Sequence, residues 1–164
     1  MRGNTRNWLA LAVAIAVPMA IGGFGSISTA RAVPTWYQRI EKPSWTPPSW
    51  VFGPVWTILY ILMGTAAWIV WKAGSKRREV QAAELLFAAQ LALNGIWTPV
   101  FFGQRAFGTA LGIIVALWGL IVATMTRFYR IRPAAGLLLA PYLIWVSYAS
   151  TLNAGFWWLN REER

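Results

Sequence analysis

Trp56 and Tyr60 lie four residues apart, Asn94 and Trp97 three apart, and Trp145, Tyr148 and Ala149 within about one helical turn. On helices, residues at these spacings share a face. Brought together, the three faces would enclose an aromatic-walled slot with few polar groups. Such a slot suits a flat conjugated ring, which gains from offset stacking and apolar burial. Asn94, an amide inside an apolar run, has two readings. It bonds across to a neighbouring helix, worth about 0.6–2 kcal/mol in a membrane, or it offers a ligand one strong hydrogen bond. Asn153 fits the structural role better.

The missing residue types constrain the chemistry as firmly. The chain has no Cys, no His and no Asp. Disulfides, zinc sites, thiol nucleophiles, histidine acid–base catalysis and ordinary axial haem ligation are therefore out of reach. The carboxylates are Glu41, Glu79, Glu84, Glu162 and Glu163, all in loops or near the ends of apolar runs. Intramembrane carboxylates mark proton and ion pathways, so ion-coupled pumping is not expected. Tryptophan chemistry is the one evident enzymatic route, with Trp56 and Trp145 as candidates. No metal site and no required cofactor is expected.

The elements that must position these residues are membrane helices. Of 164 residues, 57% are hydrophobic and only 12% charged, against roughly 25% charged in a soluble domain. Apolar runs cover about 8–27, 50–71, 80–102, 107–126 and 134–158, each near the about 20 residues a bilayer crossing needs. The expectation is an all-α, single-domain bundle over residues 1–164, with five transmembrane helices and a lid-like loop at 28–49. The first run has a rival reading as a signal peptide, because Arg2 and Arg6 precede it and Ala30-Arg31-Ala32 resembles a cleavage site. Its apolar stretch exceeds the usual 7–15 residues, which favours a retained helix. Trp8, Trp50, Trp71, Trp157 and Trp158 stand at helix ends and read as an interface belt. Pro141 interrupts the fifth run, so its backbone should be covered by protein or line a cavity.

The net charge of +10 reads as topology, with no nucleic-acid partner, because the basic residues sit between apolar runs. One side of the membrane carries Arg2, Arg6, Lys72, Lys76, Arg77, Arg78, Arg127, Arg130 and Arg132, against Arg31, Arg39, Lys42, Arg105, Arg161 and Arg164 on the other. In a bacterial cell membrane this bias places the N-terminus in the cytoplasm.

A dense set of motifs then appears in order: Trp36-Tyr37, Lys42-Pro43-Ser44-Trp45-Thr46-Pro47-Pro48, Val51-Phe52-Gly53-Pro54-Val55-Trp56-Thr57, Gln90-Leu91-Ala92-Leu93-Asn94 with Trp97, and Pro141-Tyr142-Leu143-Ile144-Trp145. With these the chain resembles the translocator proteins, or tryptophan-rich sensory proteins, over nearly its whole length. The resemblance implies a five-helix membrane bundle, usually a homodimer, with a pocket capped by the first loop. It implies ligands such as protoporphyrin IX, haem and small flat lipophilic drugs. Its pocket positions fall on Tyr37, Trp56, Tyr60, Asn94, Trp97, Trp145 and Ala149; Trp45 and Tyr148 stand beside them.

By position alone, Trp56 and Trp145 read as bundle packing before pocket lining; the resemblance reverses that order. Arg31, Arg39 and Lys42 in the loop suit porphyrin propionates or membrane lipid headgroups equally. Gly108 and Gly112 make a GxxxG pair in the fourth run and Ala88 and Ala92 a weaker small pair in the third, where the resemblance places a dimer interface. The animal members' sterol motif is broken, because Ala154 follows Leu152-Asn153 and Trp158 takes the place of the basic residue. Sterol binding is therefore doubtful. The function expected first is a membrane receptor or sensor for tetrapyrroles; the alternatives are a transporter of porphyrin or another lipophile, then a light-dependent porphyrin-degrading enzyme.

Overall fold

The computed structural model describes residues 2–161, without the side chains of residues 2–4. Arg2 as a charge, and Glu162, Glu163 and Arg164, lie outside what is described. The described chain is helical throughout its regular elements, and five segments are long and apolar enough to span a membrane. Helix α1 covers Arg2–Ala32, α2 Phe52–Lys72, α3 Arg78–Thr98, α4 Phe107–Ile131, α5 Pro133–Leu138 and α6 Ala140–Leu159. In hydrocarbon each backbone N–H and C=O needs an internal partner, and the helix supplies it.

Prolines and glycines mark the ends. Pro54 sits in the first turn of α2, where its missing N–H removes no bond. Gly74, at φ +126°, turns the chain after α2 in a conformation that costs glycine little. At Pro99 the third span loosens into a π-helical turn, Pro99–Gly103, because proline cannot donate the next helical bond.

Some boundaries differ from the expectation. Helix α1 extends past both ends of 8–27, so the loop starts only after Ala32. Helix α4 runs on to Ile131, since a helix need not stop where its charged residues Arg127 and Arg130 leave the bilayer. The fifth span is two helices, broken at Leu139. Pro141 cannot bond back to Leu137, and the chain closes with a tighter bond from Leu139 N–H to the Gly136 carbonyl at 3.1 Å. Leu139 is buried, but the Pro141 residue itself is exposed. Glu84 is not at a helix end: it lies inside α3, partly buried.

Helix α1 packs on α2 and α3, α3 on α4, α4 on α5 and α6, and α5 on α2. The order around the bundle is therefore α1, α2, α5–α6, α4, α3. Close approach of α1 and α2 depends on Gly64, where a β-carbon would stand 2.5 Å from the Ala14 carbonyl oxygen. Met63, Val70, Ile121, Phe128, Tyr142 and Val146 fill the shared core. Ala88 and Ala92 face outward. Gly112 is open on its side, whereas Gly108 lies under Trp157.

The connection between α1 and α2 is a strap across the bundle's end. A 3₁₀ turn, Trp36–Gln38, drives Tyr37 between Phe102 and Phe156, with ring centroids 5.6 and 5.7 Å away. Asn160 Nδ2 donates to the Glu41 carbonyl at 3.0 Å, and Tyr148 Oη to the Trp45 carbonyl at 2.7 Å. Lys42 Nζ sits 4.8 Å over the Tyr37 ring. These contacts tie the strap to the ends of α3 and α6.

Candidate ligand cavity

Helices α2 and α6 touch little, and the space between them is closed by α1 and by the end of α3. The result is a cavity of about 300 Å³ in the strap-side half of the bundle. Trp56 and Tyr60 of α2 form one wall with rings stacked at 5.4 Å. Trp145 and Ala149 of α6 form another, and Trp97 and Phe102 a third. Phe52 braces Trp145 edge-on at 5.9 Å.

Of the residues singled out in the sequence, Trp56, Tyr60, Trp97, Trp145 and Ala149 meet at this cavity. Asn94 stands behind the wall. Tyr60 Oη donates to Asn94 Oδ1 at 2.9 Å, Asn94 Nδ2 to Tyr142 Oη at 3.1 Å, and Tyr142 Oη to Gln90 Oε1 at 2.9 Å. The amide is thus spent on helix-to-helix bonding that orients Tyr60. Asn153 does the same for Trp97: it accepts from Trp97 Nε1 at 3.0 Å and donates to the Phe107 carbonyl at 2.8 Å. Tyr37, Trp45 and Tyr148 do not line the cavity. Tyr37 presses on Phe102 from the strap, so it acts one layer out. Tyr148 packs on Trp145 at 5.5 Å and anchors Trp45, which is itself 52% exposed.

Sequence reasoning missed the fourth wall. Met19, Gly22, Gly23, Ser26 and Thr29 of α1 all line the space. Their signal was present: small residues at positions 22, 26 and 29 fall on one helical face. Gly22 is required there, because a β-carbon would run into the Tyr60 ring.

No charged residue lines the cavity. Ser26 and Thr57 hydroxyls are satisfied by the Gly23 and Gly53 carbonyls of their own helices, at 2.6 and 2.9 Å. Trp145 Nε1 is enclosed and has no partner. The cavity can therefore hold a flat apolar ring between its aromatic walls by stacking and apolar contact.

Fold and site together define a multi-pass integral membrane protein with an aromatic-walled cavity inside its helix bundle. The chain belongs to the TspO/MBR family, whose model matches residues 14–159. It is 48% identical over 145 residues to the tryptophan-rich protein TspO of Chlorobaculum tepidum, covering 88% of this chain and 92% of that one. It is 40% identical over 159 residues to the translocator protein of Sus scrofa, covering 96% and 94%. A tryptophan-rich sensory protein of Cereibacter sphaeroides is 44% identical over 118 residues, 72% of each chain.

Proposed function

We propose that this chain is a membrane receptor that binds flat, conjugated, lipophilic molecules, with tetrapyrroles such as protoporphyrin IX and haem as the natural class. The observation that carries this reading is the cavity walled by Trp56, Tyr60 and Trp145. Its rings offer stacking surfaces, and it has no charge to desolvate. Relatives named as sensory and translocator proteins support a receptor role.

At about 300 Å³ the cavity is at the small end of the roughly 300–1,000 Å³ of drug-sized sites. A small flat ring fits as it stands. A whole macrocycle enters edge first, and its propionates then lie toward the polar end of the bundle. Phe102 and the strap residue Tyr37 above it are the groups that must yield to admit more of it.

Titration of intrinsic tryptophan fluorescence with protoporphyrin IX tests the reading. Quenching should saturate at micromolar concentration in the wild type and weaken at least tenfold in Trp56→Ala and Trp145→Ala. Folded variants of both that bind as the wild type does would overturn it.

A further inference from the structure

At the other end of the bundle, α1, α2 and α3 leave an open groove of about 600 Å³ that shares no lining residue with the ligand cavity. Most of its length is apolar, with Val13 and Val17 from α1 facing Phe87 and Leu91 from α3. One end is polar: Arg6, Trp68 and Glu84 line it. Glu84 Oε1 and Trp68 Nε1 are enclosed and have no hydrogen-bond partner. Among the described residues the ion pair present is Arg77 with Glu79, at 3.4 Å, so Glu84 has no cation. The nearby Lys72 Nζ is held 4.4 Å over the Trp68 ring instead.

Glu84 follows Arg78, the first residue of α3, by six positions, or about 9 Å of rise. It therefore lies below the headgroup layer but well short of the bilayer centre. An unpaired carboxylate there is costly and calls for a cation that also donates hydrogen bonds. Arg6, at the mouth, calls for an anion. The apolar length calls for a hydrocarbon chain. From Arg6 to Val17 is about 16 Å along α1, close to one leaflet's half of the about 30 Å hydrocarbon core.

We propose that this groove is a binding site for one glycerophospholipid with a primary ammonium head group, of the phosphatidylethanolamine type. The ammonium donates to the Glu84 carboxylate, whose two oxygens exchange by a turn about one soft torsion. The phosphate pairs with Arg6, and an acyl chain lies along Val13, Val17 and Leu91. A choline head group carries the charge but has no N–H to donate. A glycerol head group has O–H donors but brings no positive charge to Glu84.

Native mass spectrometry of the full chain in detergent, with ethanolamine, choline and glycerol phospholipids of identical acyl chains, tests this. The ethanolamine lipid should be retained about tenfold or more over the other two, the scale of one charge-assisted hydrogen bond. Glu84→Gln should bring its retention down to the choline level and leave protoporphyrin quenching intact. Ala88→Leu, on the exposed groove wall, should lower retention of all three lipids. Equal retention of the three by the wild type would overturn the proposal. So would an undiminished ethanolamine preference in Glu84→Gln, or a lipid-free dimer that buries the groove against a second copy.

Discussion

The Tyr60 ring occupies the place where a β-carbon on Gly22 would stand. One glycine of α1 thus sets how far the α2 wall of the cavity can lean inward. Gly22→Ala gains up to about 1 kcal/mol of helix propensity but must displace a ring held by Trp56 and by Asn94. Overpacking of this kind costs about 1–3 kcal/mol, so the net is destabilising. Porphyrin affinity should fall by about tenfold, read by tryptophan quenching, with a lower thermal midpoint in detergent.

Ala149 is buried and lines the cavity one helical turn beyond Trp145. Ala149→Thr adds a methyl and a hydroxyl to a packed wall, at about 1–3 kcal/mol. Affinity should fall about tenfold or more while the fold persists. Affinity and thermal midpoint measured on the same sample decide between a reshaped pocket and general unfolding.

The chain of bonds through Tyr60, Asn94, Tyr142 and Gln90 should behave as one unit. Asn94→Leu strands the Tyr60 hydroxyl, takes from Tyr142 the bond it accepts, and should lower stability by about 0.6–2 kcal/mol. Combined with Tyr60→Phe, the loss should be less than the sum of the single losses. A double-mutant cycle by thermal unfolding should return a coupling of about 0.5 kcal/mol or more.

Burial, reinforced by the neighbouring Tyr148, pushes the Tyr37 hydroxyl up from 10.0 to about 12. The folded state therefore favours the neutral phenol. Its contribution is complete below pH 10 and is lost as the pH rises toward about 12. Docking of the strap, followed by a fluorophore near Trp36, should weaken over that window in the wild type. In Tyr37→Phe this step should vanish.

The sequence by itself determined the solvent, the element type and which aromatic residues share a helix face. Five long apolar runs leave the backbone no partner but itself, so they are helices wherever they pack. The helical spacing of Trp56 with Tyr60, and of Trp145 with Ala149, put each pair on one face before any neighbour was known. Two prolines told where regularity would fail, though not how: Pro99 gave a π turn and Pro141 a break at Leu139, whereas α1 runs through Pro18 without a break.

What only the tertiary structure decided was which faces meet. Asn94 and Trp97 share a helix, yet Asn94 turned to Tyr60 and Tyr142 while Trp97 turned to the cavity. Helix α1 became a cavity wall because Gly22 and Gly64 admit α2 at close range, and a glycine does not announce in sequence what will press against it. Glu84 counts as a carboxylate near a helix end until α1 and α2 enclose it. Periodicity is a local property of one helix, whereas a cavity exists only between helices, and their mutual rotation is set by packing of the whole bundle.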